Sequence, residues 1–181
     1  KPMVFAGIFC KEGNDYPELR EAMEKLKLND AELMYEPEHS QALGYGFRCG
    51  FLGLLHLEIV RERLNREYGL ELIVTAPSVA YHLYYKRSPE EAVLMKSPQE
   101  FPDPSAIERI EEPIMQVSII CPKEYMGNIM SLIQTRRGEY QNTEYLNDNT
   151  SLLHYIMPMA SILTDFYDKL KSTSAGFASL N

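Results

Sequence analysis

Basic residues near two predicted helix ends are the first places where this chain could do chemistry. Arg136 and Arg137 precede Gly138, and Lys169 and Lys171 precede a Ser-Thr-Ser stretch. Cations at such positions can stabilise the carbonyl end of a helix, by a few tenths to ~1 kcal/mol. They can also hold the phosphates of a nucleic-acid backbone, for which nearby hydroxyls are suitable additional donors. The sequence leaves both interpretations open at both helix ends.

The sequence gives little support for other kinds of catalytic site or for a metal site. The chain lacks the glycine-lysine pattern of a phosphate-binding loop. His56 and Glu58 are two residues apart and cannot share a helix face, so they are not a zinc-protease motif. The three cysteines form no CxxC pair, which argues against zinc and dithiol redox chemistry. The remaining histidines have no carboxylate or cysteine at ligand spacing: His39, His82 and His154.

A run of glycines superficially resembles a phosphate-binding loop. The residues concerned are Gly44, Gly46, Gly50 and Gly53. Their spacing departs from the dinucleotide-binding fingerprint, and no acidic residue follows at the expected distance. The pattern therefore favours a turn and close backbone packing.

Composition limits the kind of protein this can be. The 181 residues carry a net charge of −8 and are 45% hydrophobic, which predicts a packed globular core and not a basic nucleic-acid arm. Any RNA contact must then come from local basic patches. No apolar run reaches the ~18 residues of a membrane span, and an odd cysteine count without a disulfide framework fits a reducing cytoplasm. A first residue other than Met suggests a cut end.

Hydrophobic periodicity predicts the order β-α-β-β-α-β twice. The first set comprises Met3–Phe9, helix Pro17–Leu28, Glu32–Glu36, Tyr45–Cys49, a helix through Tyr68 capped by Gly69, and Leu70–Thr75. The second comprises Ile114–Cys121, helix Tyr125–Arg137, Glu139–Leu146, Ser151–Met157, helix Met159–Ser172 and a strand starting at Ala175.

Between the two sets lie a hairpin and a proline-bearing connector. We predict paired strands at Val79–Tyr85 and Glu91–Lys96. They are followed by a semi-rigid connector at Ser97–Pro104 and a short helical turn at Ser105–Arg109. The predicted fold class is therefore α+β, with two ferredoxin-like sandwiches in tandem. Their domains are residues 1–78 and 111–181, the latter with its last strand truncated, joined by the connector 79–110.

Several motifs resemble one family of translation factors. Residues 46–64, GFRCGFLGLLHLEIVRERL, together with Thr75–Val79, closely resemble the elongation factor 4 (LepA-type) translational GTPases. Glu112–Met115, Glu124–Gly127 and Arg136–Gly138 resemble the start of domain V in that family and in elongation factor G. The resemblance covers essentially the whole chain. Elongation factor G has a further domain between domains III and V, whereas only a connector lies here, which favours elongation factor 4.

The resemblance implies a fragment covering domains III and V that is itself non-catalytic and holds no cofactor. GTP and Mg²⁺ would belong to a missing N-terminal GTPase domain. The implied partners are that domain and the ribosome, at the rRNA of the sarcin–ricin loop and stalk base with tRNA nearby. The implied roles are back-translocation of tRNAs or subunit maturation. The implied location is the cytoplasm, with peripheral association with the inner face of the cell membrane. The rRNA-contact candidates carried over are Lys123, Arg136, Arg137, Lys169 and Lys171.

Two other functions remain open for this fold. Paired βαββαβ modules also serve as regulatory domains that bind small molecules at their interface. An acylphosphatase-like hydrolase on the same fold would need an arginine in the loop after the first strand. That loop, Lys11–Asp15, is acidic and has no arginine, which argues against the hydrolase.

Overall fold

A computed structural model describes residues 2–163, 165–176 and 178–180 of the chain. The chain divides into two compact units, Lys1–Glu111 and Glu112–Asn181. Each unit is built around its own antiparallel sheet.

The first unit begins with the predicted βαββαβ series. Its elements are β1 (Val4–Cys10), α1 (Tyr16–Asn29), β2 (Met34–Ser40), β3 (Gly44–Phe51), α2 (Leu54–Tyr68), β4 (Leu72–Val74) and β5 (Ser78–Val79). The sheet order is β2-β3-β1-β4, with β5 also paired to β1. All of these pairings are antiparallel. This is the strand order of a ferredoxin-like sandwich.

The helices form because their apolar residues recur every three or four positions. α1 buries Leu19, Ala22, Met23 and Leu26, and α2 buries Leu57, Val60 and Leu64. The central strand β1 is buried along its whole length. Gly69 caps α2 in the left-handed conformation, with φ of 67°, as predicted.

The glycines of β3 allow close packing, as the sequence suggests. A Cβ on Gly46 would lie 2.4 Å from the Ile8 carbonyl oxygen, and one on Gly50 would lie 2.8 Å from the Phe5 ring. Gly44, at the turn before β3, has a φ of +80°. These positions therefore serve a turn and close approach of the backbone, and not a phosphate loop.

The rest of the first unit is a three-stranded sheet in the order β7-β6-β8. Its strands are β6 (Tyr81–Tyr85), β7 (Ser88–Met95) and β8 (Ile107–Glu111). The predicted helical turn at Ser105–Arg109 is present as a 3-10 turn over Pro104–Ala106, but the prediction is wrong from Ile107 onward, where β8 begins. Asp103 caps that turn by accepting from the Ser105 N–H, after which the chain pairs with β6.

The second unit repeats the same strand order. Its elements are β9 (Ile114–Pro122), α3 (Met126–Thr135), β10 (Glu139–Tyr145), β11 (Thr150–Pro158), α4 (Phe166–Thr173) and β12 (Ser179–Leu180). The sheet order is β10-β11-β9-β12. The repeated ferredoxin-like order confirms the predicted α+β fold class.

The predicted long helix Met159–Ser172 is wrong in its first half. A 3-10 turn spans Met159–Ser161, and α4 begins only at Phe166; Thr164 lies outside the described residues. The Met159 N–H donates to the Pro113 carbonyl, so this segment is held by a contact distant in sequence that periodicity cannot show. The core beneath it includes Val117, Ile129, Ile133, Phe166 and Leu170.

Candidate nucleic-acid interface

The end of α3, where two candidate arginines lie, is a six-residue helix cap. The Gly138 N–H donates to the Ile133 carbonyl at 3.0 Å, and the Arg137 N–H donates to the Gln134 carbonyl at 3.3 Å. Arg137 adopts the left-handed conformation, with φ of 59°. These are the two hydrogen bonds of a Schellman motif. The helix therefore ends at Thr135, not at Arg137 as predicted.

A glycine is needed at position 138 of this cap because there is no room for a side chain. A Cβ there would lie 2.1 Å from Cγ2 of Ile133 and 3.0 Å from its carbonyl oxygen. The close approach is thus internal, to a buried isoleucine of α3.

Arg136 points back into the unit and joins the two helices. Its guanidinium donates to Asp165 Oδ1 at 2.6 Å and to the Ser161 carbonyl at 3.4 Å. The side chain is only 21% exposed. The hydrogen bond from Arg136 lowers the pKa of Asp165 below its ordinary value. Arg136 therefore connects the end of α3 to the residue before α4.

Arg137 is the most accessible arginine of the pair, with 60% of its side chain exposed. Its Nη1 and Nη2 donate to the two carboxylate oxygens of Glu112 at 2.6 and 3.4 Å. A two-pronged contact of this kind is also how an arginine holds a phosphate.

Lys169 and Lys171 lie on α4. Lys169 is exposed and adds to the lowering of the Asp165 pKa, and the Lys171 Nζ lies 5.6 Å from the centre of the Tyr167 ring. The hydroxyls that follow are engaged in the helix end: Ser174 Oγ donates to the Leu170 carbonyl at 2.9 Å and is buried. At this second helix end the lysines are therefore better placed than the serines to meet a phosphate.

Lys123 stands apart from the other candidates. It lies in the 3-10 turn Lys123–Tyr125 that precedes α3, with its Nζ 5.2 Å from the centre of the Tyr145 ring. The whole of α3, about 15 Å long, separates it from Arg136. The structure thus brings Arg136 to the start of α4, with Arg137 beside it in sequence and Lys169 one turn along α4. It leaves Lys123 at the other end of α3.

The fold also assembles a polar chain that sequence reasoning missed. Ser118 Oγ lies 2.9 Å from His154 Nδ1, and His154 Nε2 lies 2.5 Å from Glu144 Oε2. Strand register places Ser118 directly opposite His154, although they are 36 residues apart in sequence. Serine hydrolases use the same order of groups, but they expose the nucleophile on a sharp turn, whereas Ser118 lies within a paired strand. We therefore interpret this chain as a network across three strands.

A second histidine pair joins the two helices of the first unit. His56 Nε2 lies 2.7 Å from Asp30 Oδ2, and the Leu52 N–H donates to His56 Nδ1 at 3.0 Å. The backbone donor assigns the proton of the neutral ring to Nε2, from which it is donated to Asp30. Sequence spacing alone could not reveal this pair, because its members are 26 residues apart.

Metal binding and membrane crossing are two further properties to consider for the described residues. Within residues 2–163, 165–176 and 178–180, no group of three or more His, Cys, Asp or Glu could hold a metal ion. None of the helices in that part of the chain is both long and apolar enough to cross a bilayer.

Comparison with known proteins places these features in a family context. Residues 109–181 match the family described as "Elongation factor G C-terminus". A crystal structure of a protein from Thermus thermophilus aligns over 100% of this chain and 40% of its own, at 17% identity and a TM-score of 0.49, a similarity too weak to bear on function.

The curated relatives are much closer in sequence. Proteins named elongation factor 4 from Streptococcus thermophilus and Symbiobacterium thermophilum are 52% and 53% identical over 180 residues. One from Acaryochloris marina is 53% identical over the same length. Each match covers 99% of this chain but only 29–30% of the relative. These matches confirm the predicted resemblance, in that the chain is similar to a segment of proteins named elongation factor 4.

Proposed function

We propose that this chain is the non-catalytic, ribosome-binding part of a translational GTPase of the elongation factor 4 kind. The observation that carries the proposal is the identity of about 52% with such factors over 99% of the chain. GTP, Mg²⁺ and the hydrolysis reaction would belong to a GTPase domain outside these residues. The factor would work in the cytoplasm and, by resemblance, move tRNAs backward on the ribosome. The described residues give no support to peripheral membrane association.

The second unit would contact rRNA through its basic side chains. The five candidates are Lys123, Arg136, Arg137, Lys169 and Lys171. By resemblance, the rRNA would be that of the sarcin–ricin loop and stalk base. Arg137 would contribute most, since it is exposed and already holds a carboxylate with both prongs of its guanidinium. Arg136 would contribute indirectly, because its guanidinium is bonded within the unit.

Ribosome co-sedimentation over a range of salt concentrations tests this proposal. Arg137→Glu should weaken binding and lower the slope of log affinity against log salt by about 0.7–0.9, the value for one lost phosphate contact. The matched control is Arg66→Glu, which changes an arginine with a 76% exposed side chain that is ion-paired to Glu62 in the first unit. Equal binding by Arg137→Glu and wild type, or equal losses in both variants, would contradict the rRNA contact.

A further inference from the structure

The first sheet carries a cleft on the face that points away from the helices. Phe47 of β3 stacks on Tyr16 of α1, with ring centres 5.5 Å apart. The next residue along β3, Arg48, therefore points to the opposite face. We call the cleft there the polar cleft. Its lining includes Glu38, Ser40, Leu43, Arg48, Thr75 and Ser78.

Arg48 brings a positive charge into the polar cleft that no carboxylate of the described residues neutralises. Its side chain is half-buried. Nη2 donates to Ser78 Oγ at 3.1 Å and to the Lys96 carbonyl at 2.9 Å. None of the ion pairs within the described part of the chain includes Arg48. The Nε and Nη1 donors are thus available to an anion, which would offset the cost of holding this charge away from water.

Glu38 brings a negative charge that is unpaired in the same sense. It is half-buried, and among the described residues it has neither a hydrogen bond nor an ion pair. Its Oε2 would lie 3.1 Å from a Cβ on Gly7, as would Thr75 Oγ1. The carboxylate therefore lies over β1, at a point that the missing side chain of Gly7 leaves open.

The two unpaired charges lie on neighbouring strands. The register pairs Glu36 with Arg48 and Glu38 with Gly46. Glu38 and Arg48 are therefore diagonal neighbours, a relation in which Cα atoms are ~7–8 Å apart. A small molecule with charges of both signs can contact both side chains at that separation.

The other charged groups nearby favour a zwitterion over a phosphate. Lys96 is ion-paired with Glu36 at 3.1 Å, and its N–H donates to Glu100 Oε2 at 3.1 Å. Around Arg48 the three carboxylates of Glu36, Glu38 and Glu100 thus outnumber the two cations of Arg48 and Lys96. A phosphate with two negative charges would be repelled by this excess. A carboxylate and an ammonium on one ligand would instead match one unpaired charge each.

One wall of the polar cleft is apolar. Leu43 and Ala76 line it on the same side of the sheet as Arg48. The cleft has a volume of about 390 Å³, at the lower end of the ~300–1,000 Å³ range of small-molecule sites. The ligand should therefore be small and carry an aliphatic group.

We propose that the polar cleft binds an α-amino acid with an aliphatic side chain. The ligand carboxylate accepts from Nε and Nη1 of Arg48, and its ammonium donates to the Glu38 carboxylate. Its side chain lies against Leu43 and Ala76. This proposal goes beyond ribosome binding and does not depend on it, because every residue involved belongs to the first unit.

Titration of the 181-residue chain with L-leucine, followed by amide chemical shifts in NMR spectra, tests the proposal. At about pH 6.5, where α-amino groups are protonated, shifts should appear at Glu38, Arg48 and Ser78. Leucinamide lacks the carboxylate, and 4-methylpentanoate lacks the ammonium. Each should bind at least ~10-fold more weakly than leucine, because a hydrogen bond between charged groups is lost. Absence of shifts in the cleft would overturn the proposal. So would binding of either analogue, or of inorganic phosphate, as tight as that of leucine.

A variant gives a second readout. Glu38→Gln should weaken leucine binding at least ~10-fold and leave the thermal midpoint nearly unchanged, since the carboxylate has no described partner. The matched control is Glu21→Gln on α1, on the other side of the sheet, which should bind leucine like wild type. Arg48 is kept, because it also holds Ser78 and Lys96. Wild-type affinity in Glu38→Gln, or equal losses in both variants, would contradict the proposed site. The analogue series needs no variant and decides the matter if Glu38→Gln does not fold.

Discussion

At the scale of single residues, the candidate interface depends on two adjacent arginines, Arg136 and Arg137, whose side chains make different contacts. Arg136 is committed to Asp165, whereas Arg137 presents its guanidinium at the surface beside Glu112. The sequence identified both as helix-end cations but could not distinguish them. Their carboxylate partners lie 29 and 25 residues away in sequence. The packing of α3 against α4 and the start of β9 therefore decides that Arg136 is 21% exposed and Arg137 60% exposed.

The cap that orients both arginines should fail if Gly138 gains a side chain. Gly138→Ala would place a Cβ 2.1 Å from Ile133 Cγ2, and such overpacking should cost about 1–3 kcal/mol of unfolding free energy. Urea denaturation measures the loss. The control is Gly127→Ala in α3, where a Cβ would meet nothing within 4 Å; there alanine should stabilise by about 0.5–1 kcal/mol. Similar effects of the two changes would show that Gly138 is not packed as described.

At the scale of elements, sequence periodicity predicted those helices whose apolar face covers a sheet. It failed at Met159–Ser172 and Ser105–Arg109, where a distant backbone contact or strand pairing outweighs local preference. The same holds for the connection between α1 and α2. His56 looked like an ordinary helix position, yet it joins the two helices through Asp30.

The Asp30–His56 connection predicts a pH dependence of stability. Burial alone would raise the pKa of Asp30, but hydrogen bonds from His56 and from the Leu33 and Glu32 N–H groups outweigh it and lower the pKa below its ordinary value of 3.8. A carboxylate with a lowered pKa contributes stability that is present above pH ~4 and is lost as pH falls through the folded-state pKa. Asp30→Asn should therefore have a lower thermal midpoint than wild type above pH ~4. The difference between the two thermal midpoints should become smaller at lower pH.

Thermal melts between about pH 2 and pH 7 would test this dependence. Glu21→Gln removes a carboxylate from a solvent-exposed ion pair with Lys25 on α1 and serves as the control. Its curve should follow that of wild type closely, because exposed ion pairs contribute little. A constant gap between Asp30→Asn and wild type across the range would contradict the role given to the ionised carboxylate.

At the scale of the whole molecule, the repeated βαββαβ order was readable from sequence, while the extent of the first unit was not. Residues 79–110 were expected to form a connector with a possible β-hairpin. The hairpin is β6–β7, β8 pairs with the other side of β6, and the first compact unit runs to Glu111. Arg48 donates to the Lys96 carbonyl at 2.9 Å across 48 residues of sequence. A contact at that separation leaves no periodic signal, which is why composition suggested a linker.

The extent of the first unit can be tested with fragments ending at residues 78 and 111. The shorter fragment lacks the Ala80 N–H bond to the Met3 carbonyl, the Lys96 carbonyl that accepts from Arg48, and the Lys96–Glu36 ion pair. Losing these contacts should make fragment 1–78 less stable than fragment 1–111 by about 2–4 kcal/mol, because a hydrogen bond from a charged donor contributes more than a neutral one. Urea denaturation of the two fragments measures the difference. Fragment 112–181 contains none of these contacts and serves as the control for the preparation and denaturation of fragments. Equal midpoints for 1–78 and 1–111 would instead support a domain ending at residue 78, with the β6–β8 sheet as an independent connector.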